Sequence, residues 1–347
     1  MCQRARNDLR PDAGRITEGD ADAFRVTHPY LLLPQLETLA PTVALRHAYG
    51  KKFMRFAQWF GAAVVVSFFA AGLAACGVSG AGGKASNDAP PNMGPPTALP
   101  VVGGIFRPGE SMRFELSLRG IVGGQASVAV GNPGRVDGKR VIIVRSRVES
   151  AGVVAMFKEV RDEVTTMVDL DTGLPLEHEA AVKFGPKEMT IQTKFAGGQA
   201  GSFDLAVMRP GSDARRMAHQ SMPADIAAFD AHSVIGALRA WRAEEGQHAY
   251  FFALVGRHLW QNTVRLTGRE RVRTRLGRFD ALRIDGVARR LTRDLREDPK
   301  KPPRYYTLWM SDDDQHLPLL VTGKTEYGEV KAELIEYTAP SQLRAQR

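Results

Sequence analysis

The chain has few of the residues and motifs that mark a chemical activity. Cysteine occurs only twice in 347 residues, as Cys2 and Cys76. No Gly-x-Ser-x-Gly elbow is present, which excludes a serine hydrolase of that type. No internal repeat occurs, so a solenoid is excluded. No aromatic stacking motif accompanies the basic residues, which argues against a nucleic-acid partner. The residues also show no arrangement typical of a cofactor site, and we expect no cofactor.

The most informative stretch is residues 54–76, MRFAQWFGAAVVVSFFAAGLAAC. Positive charge from Lys51, Lys52 and Arg55 comes first, an apolar run follows, and small residues end the stretch. This order is typical of a bacterial export signal peptide. A transmembrane helix is the alternative, but it needs about 20 apolar residues. In addition, a Gly/Pro-rich stretch follows where basic stop-transfer residues would be expected.

The end of this stretch, Leu73-Ala-Ala-Cys76, resembles the lipobox of bacterial lipoproteins. The resemblance implies cleavage between Ala75 and Cys76 and attachment of a lipid to the Cys76 thiol. Palmitate is a suitable label for this lipid. Each buried lipid CH₂ contributes about 0.8 kcal/mol, so two or three chains hold a protein on a membrane. Gly77 stands where an aspartate favours inner-membrane retention in that family. We therefore expect an outer-membrane lipoprotein that faces the periplasm.

Lipidation of Cys76 has a consequence for the folded part. If Cys2 is absent from the mature chain, no disulfide can form, because Cys76 would be the only remaining cysteine. The exported domain would then depend on its hydrophobic core for stability.

The composition divides the chain into further segments. Residues 1–53 precede the signal and are polar, so we interpret them as a mis-assigned upstream start or a disordered segment, with Met54 as the true start. Residues 77–103 are rich in Gly, Pro and Ala and predict a flexible tether. Residues 104–338 predict a β-rich domain, and residues 339–347 predict a polar tail.

The pattern of the long segment predicts a mainly β fold, an antiparallel open sheet or a barrel-like domain with one covering helix. Residues 112–118 alternate apolar and polar side chains, as half-buried strands do. Further short strands follow at regular spacing, separated by Gly, Pro and Asp turns. The helix is predicted to run for about 20 residues, with Ser221 as its cap, Pro223 early in it and Gly246 as its stop.

Several short motifs occur in a characteristic order along this segment. They are Phe106-Arg-Pro-Gly-Glu110, Gly124-Gln-Ala-Ser-Val128, Asp162 with Gly173-Leu-Pro175, Asp230-Ala-His-Ser233, Gly277-Arg-Phe279 and Trp309-Met-Ser-Asp312. Their order resembles the bacterial domain of unknown function family 3108, which is found in exported proteins. The resemblance implies a β-rich, open or barrel-like sheet and implies no reaction. The Arg/Lys-rich loop near residues 298–303 departs from the family.

One short stretch contains the best candidate metal ligands, Asp312, Asp313, Asp314 and His316. Carboxylates and an imidazole are suitable ligands for a divalent cation. Consecutive residues in a strand or tight turn point apart, however, so the favoured interpretation is an Asp-rich turn without metal.

Asp230, His232 and Ser233 have the residue types of a hydrolase triad. They lie within four positions on the predicted helix, where neighbours one or two apart do not face each other. We therefore favour structural hydrogen bonding under the sheet. Glu110 and Asp162 are expected to fix turns or strand ends, and scattered histidines such as His258 predict no metal site.

The formal net charge of +9 fits an anionic partner or an Arg-rich solvated surface. Two functions remain open. The first is a non-enzymatic module that binds an envelope lipid, polysaccharide or protein, or scaffolds a complex. The second is an envelope hydrolase or glycan-modifying enzyme. Convergent acidic groups in a cleft would favour the enzyme, whereas an apolar cavity would favour a binding protein.

Overall fold

The computed structural model describes residues 96–101, 103–157, 159–196, 201–325 and 328–340. The predicted signal peptide with Ala75 and Cys76, the segment 1–53, most of the tether and residues 341–347 lie outside the described residues. Within the described part, sixteen strands form one sheet, and two helices accompany it.

The strands follow one another along the chain with few interruptions. The first nine are β1 (Thr97–Ala98), β2 (Ser111–Leu118), β3 (Ile121–Val136), β4 (Lys139–Ser150), β5 (Val160–Asp169), β6 (Pro175–Phe184), β7 (Lys187–Phe195), β8 (Phe203–Arg209) and β9 (Ser212–Gln220). The remaining seven are β10 (Ala228–Asp230), β11 (His248–Val255), β12 (His258–Thr274), β13 (Gly277–Arg290), β14 (Arg304–Ser311), β15 (Pro318–Thr325) and β16 (Gly328–Thr338). Helix α1 is Gly152–Phe157, and α2 is Ala231–Ala240.

The sheet consists of two antiparallel meanders. One runs from β2 to β9 and the other from β11 to β16, and each strand pairs with the next one along the chain. The meanders are joined where β16 pairs with β2, with Ser111 opposite Thr338. Strands β1 and β10 both pair parallel with β11. Among the described strands, β9 pairs only with β8, so the sheet stays open. The predicted mainly β, antiparallel fold is thus confirmed.

The prediction of a covering helix of about 20 residues was wrong in length, because α2 has only ten residues. Asp230, rather than Ser221, is its cap: its side chain accepts from the Ser233 amide, and the Ser233 hydroxyl accepts from the Asp230 amide. The residues just before the helix pair with β11 as β10. Trp241, just after it, has extended backbone angles. Pairing with the sheet therefore competes successfully with helix formation on the N-terminal side.

Two hydrophobic clusters fill the interior. The larger one contains Val234 and Leu238 of α2 and strand residues such as Phe114. The smaller one joins the β5–β8 region to β11 and includes Phe252. The neighbouring Phe251 belongs to the larger cluster. Because alternate side chains of a strand point to opposite faces, β11 is buried on both faces.

The predicted tether ends earlier than residue 103. Thr97 and Ala98 form β1, and Leu99 is only 3% exposed. The Leu99 amide donates to the Tyr250 carbonyl at 2.8 Å, and the Ile105 amide donates to the Gly236 carbonyl at 3.0 Å. One large apolar side chain and backbone pairing are enough to fix this end of the Gly/Pro-rich segment to the sheet.

Candidate functional site

A buried group of polar side chains surrounds the start of α2. This capping cluster consists of Thr166, His178, Asp230, His232 and Ser233, all of them buried. Thr166 on β5 lies directly opposite His178 on β6. Asp230 ends β10, and the other two residues begin α2. The first turn of the helix is therefore packed against the inner face of the β2–β9 meander.

The Asp230 carboxylate is the centre of the capping cluster. Its Oδ1 accepts from the Ser233 amide at 2.9 Å and from the Ser233 hydroxyl at 2.7 Å. Its Oδ2 accepts from His178 Nδ1 at 3.0 Å and from the Thr166 hydroxyl. Burial alone would raise the pKa of Asp230, but the hydrogen bond and charge of His178 outweigh it. The pKa of Asp230 therefore lies below its usual range, and the group is ionised at neutral pH.

His232 is attached to the cluster through one ring nitrogen. Its Nδ1 lies 2.7 Å from Thr166 Oγ1. The Thr166 hydroxyl proton goes to Asp230, so His232 Nδ1 is the donor to Thr166 and Nε2 carries no proton. That Nε2 is buried without a hydrogen-bond partner among the described residues. Burial, against the opposing charge of Asp230, lowers the pKa of His232 to about 4.

This geometry does not assemble a nucleophilic relay. The Ser233 hydroxyl bonds to the carboxylate and the backbone carbonyl of Asp230, and the imidazole of His232 bonds to Thr166. The three candidate triad residues therefore form a helix cap centred on Asp230, without the contact from Ser233 to His232 that would activate a nucleophile. The sequence pointed to three of the five cluster residues but missed Thr166 and His178, which come from β5 and β6.

Asp162 lies on the same strand face as Thr166, four positions earlier on β5. It lies within the strand, opposite Val182. The prediction that Asp162 fixes a turn or a strand end was therefore wrong. The residue is 3% exposed, and its Oδ1 has no hydrogen-bond partner within the described part of the chain. Burial raises the pKa of Asp162 to about 8. This carboxyl is consequently protonated in the folded protein at neutral pH.

A buried ion pair holds the other end of α2. Arg239 Nη1 donates to Glu110 Oε1 at 2.5 Å, and Nη2 donates to Oε2 at 3.1 Å. Arg239 Nε donates to the Gln315 carbonyl at 3.1 Å. Glu110 also fixes its own turn, as predicted, by accepting from the Arg107 amide at 3.1 Å. Loss of one partner from a buried pair costs about 3–5 kcal/mol, so this pair stabilises the position of α2.

The candidate metal ligands do not converge. Asp313 Oδ1 accepts from the amides of Gln315 and His316 at 2.9 and 3.1 Å, as in an Asp-stabilised turn. Asp312 pairs with Arg269 at 3.0 Å. His316 Nδ1 accepts from Arg242 at 2.9 Å, and burial first, then Arg242, lowers the pKa of His316. Asp314 provides only its backbone carbonyl, to Arg107. Across the described residues, no three His, Cys, Asp or Glu side chains form a metal-binding group.

Space for a ligand is small where α2 meets the sheet. A cavity of about 10 Å³ lies between Leu238, Trp241 and Met310. This volume holds one water molecule at most, so an apolar ligand does not fit there. Neither of the described helices has the length and hydrophobicity that a bilayer crossing requires.

Three solved bacterial structures match about two thirds of this chain at TM-scores below 0.5. A β-barrel-like protein of the domain of unknown function DUF1849 from Brucella abortus is 11% identical, with a TM-score of 0.44, and the match covers 67% of this chain and 98% of that one. A protein described as exported, with a YmcC-like fold, from Bacteroides fragilis is 8% identical, with a TM-score of 0.33 and coverages of 69% and 99%. A protein described as a lipoprotein from Parabacteroides distasonis is 7% identical, with a TM-score of 0.32 and coverages of 68% and 99%.

These low scores and identities support no inference about function, and no curated protein matches the chain. The family model described as "Protein of unknown function (DUF3108)" matches residues 113–335, from β2 to β16. The match covers more than half of the chain and agrees with the order of motifs in the sequence. The chain belongs to the DUF3108 family.

Proposed function

We propose that this DUF3108 protein is a lipid-anchored envelope protein whose β domain is a non-enzymatic binding or scaffolding module. The anchor is the lipidated Cys76, and the location is the periplasmic face of the outer membrane. The support for the anchor is the order of positive charge, apolar run and Leu-Ala-Ala-Cys in residues 51–76.

One structural observation carries the non-enzymatic part of the proposal. The acid and base groups that meet in the capping cluster are bonded to one another, and none of His178, Asp230 and His232 is more than 4% exposed. Their bonds fix the first turn of α2, and Glu110 with Arg239 fixes its last turn. A hydrolase or glycan-modifying enzyme, the alternative left by the sequence, needs an acid and a base that reach substrate.

The anchor is tested by metabolic labelling with radioactive palmitate followed by membrane fractionation. We expect label and membrane association in the wild type, and neither in Cys76→Ser, because the acylated thiol is gone. Cys2→Ser is the matched control and should keep the label. Gly77→Asp should move the labelled protein from the outer to the inner membrane fraction. An unlabelled wild-type protein, or equal labelling of Cys76→Ser, would contradict the proposal.

A further inference from the structure

A second group of charged side chains lies far along the chain from the capping cluster. This basic cluster consists of Arg257, His258, Arg290, Lys301 and Arg304. Arg257 is in the turn after β11, and His258 begins β12. Arg290 ends β13, Lys301 is in the following loop, and Arg304 begins β14. Because β12, β13 and β14 are neighbours in the sheet, these residues meet at one end of it.

The strand register places four side chains of this region on one face. Trp260 is directly opposite Arg290, and Ala288 is directly opposite Arg304. Directly opposite residues share a face, as do residues two apart on one strand. His258, Trp260, Arg290 and Arg304 are therefore on the same face. The Arg304 guanidinium accordingly lies over the Trp260 ring, 4.1 Å from its centroid.

One cation of the basic cluster, Arg290, has an ion-pair partner and also a hydrogen-bond donor that is not satisfied. Arg290 Nε lies 3.5 Å from Asp298 Oδ2, but this buried nitrogen has no hydrogen-bond acceptor among the described residues. The nearby Glu297 is paired with Arg289 instead, at 3.4 Å. Arg290 and Arg304 are diagonal neighbours on β13 and β14, within reach of long side chains, and two cations at this range repel each other. The arrangement is therefore one that a bound anion would stabilise.

His258 reports the resulting positive potential. Burial lowers its pKa, and the charges of Arg290, Arg257, Lys301 and Arg304 lower it further, to about 4. The imidazole is neutral at pH 7 and can donate or accept a hydrogen bond beside the cations.

We propose that the basic cluster is a binding site for a phosphate-bearing anion. Several guanidinium groups and one ammonium group suit a phosphate group, because its anionic non-bridging oxygens accept forked, charge-assisted hydrogen bonds. The phosphate can be free or belong to a lipid head group, since both present such oxygens to the cluster. This inference deepens the proposed binding role and rests on it, while its test does not involve the Cys76 thiol.

The affinity test is a calorimetric titration of the purified full-length protein with inorganic phosphate at low ionic strength. The site variant is Arg257→Gln with Lys301→Gln, in loops where side-chain loss does not affect a strand. The control is Arg273→Gln with Arg278→Gln, which removes two charges from directly opposite positions elsewhere in β12 and β13. We expect the control to bind like the wild type and the site variant to bind at least tenfold more weakly. Equal weakening in both variants overturns the site.

The source of the phosphate is identified with vesicles. Flotation with phosphatidylglycerol vesicles is compared with neutral phosphatidylcholine vesicles, so that any contribution of the anchor cancels. A lipid head group is assigned if the wild type prefers the anionic vesicles, the site variant loses this preference, and neither protein binds free phosphate. Affinity for free phosphate that the site variant loses assigns the soluble anion. Binding to neither overturns the proposal, whatever the palmitate experiment shows.

A measurement on the unmutated protein remains decisive if the site variant fails to fold. The His258 pKa is followed by NMR titration with and without saturating phosphate. Bound phosphate is negatively charged at the pH where His258 titrates, so it offsets the surrounding cations and should raise this pKa measurably. An unchanged His258 pKa contradicts phosphate binding in the basic cluster.

Discussion

At the scale of the residue, two buried aspartates of the inner face have opposite titration behaviour. Asp230 receives hydrogen bonds from Ser233, Thr166 and His178, and its pKa is lowered. One oxygen of Asp162 receives no hydrogen bond from the residues that the structure describes, and burial raises its pKa to about 8. Ionised Asp230 stabilises the fold above its unfolded pKa, and this contribution is lost as the pH falls. The contribution of protonated Asp162 to the stability of the fold is fully present below the unfolded pKa. It is lost as the pH rises through the folded pKa of about 8.

This contrast predicts the effect of Asp162→Asn. The ordinary pKa of an aspartate is 3.8, and the pKa of Asp162 in the folded protein is about 8. Between these two pH values the folded wild type holds a proton on Asp162 that the unfolded chain releases. Its free energy of unfolding should therefore fall by several kcal/mol over that range. The variant should lose this part of the slope and exceed the wild type in stability at pH 8, as measured by urea unfolding at pH 5 and pH 8.

Asp280→Asn is the control for that measurement. Asp280 and its ion-pair partner Arg271 are 75% and 72% exposed, so the substitution should leave the pH slope unchanged. The interpretation of Asp162 fails if Asp162→Asn retains the full wild-type slope.

At the scale of the element, α2 is held at both ends and in the middle. Asp230 and Arg239 hold the ends. In the middle, Gly236 packs against the Phe106 ring, and a Cβ at Gly236 would lie 2.2 Å from Phe106 Cζ. The absence of a side chain at this position lets the segment before β2 approach the helix.

We expect Gly236→Ala to destabilise the protein in spite of the better helix propensity of alanine. Propensity favours alanine by about 1 kcal/mol, while overpacking costs about 1–3 kcal/mol. With Phe106→Ala present, the clash disappears and Gly236→Ala should become neutral or stabilising. Urea unfolding of the four proteins of this double-mutant cycle measures the coupling. If Gly236→Ala destabilises both backgrounds equally, the Phe106 contact is not its cause.

At the scale of the whole molecule, the sheet has two differently protected edges. The short strands β1 and β10 pair with the free side of β11. At the other edge β9 pairs only with β8 in the described chain, and it exposes Arg215, Arg216 and Met217. Charged side chains on an edge strand hinder pairing with a second sheet.

Replacing both arginines of β9 by valine should therefore promote association. We expect Arg215→Val with Arg216→Val to show earlier light scattering on heating and larger species in size-exclusion chromatography. Arg145→Val with Arg147→Val removes the same charge from exposed positions of β4, which is paired on both sides. The edge explanation is wrong if this control associates as readily as the β9 variant.

Much of the strand pattern of the whole molecule could be predicted from the sequence. Strands such as residues 112–118 were confirmed, because alternation and turn residues are local signals. The length of α2 was not predicted, since pairing of β10 with β11 replaces its expected first turns. Glu110 and Arg239 lie 129 positions apart, and a single sequence carries no signal that joins them. Strand β9, SDARRMAHQ, lacks the alternation that marks other strands.

The seam between β2 and β16 determines when the sheet can be completed. The pairing of Ser111 with Thr338 joins residues far apart in the chain and can form only late, although the hairpins on either side can close soon after they are made. A chain that becomes available from its amino end can therefore form the hairpins of the first meander early, but it joins the two meanders only after its last strand is present.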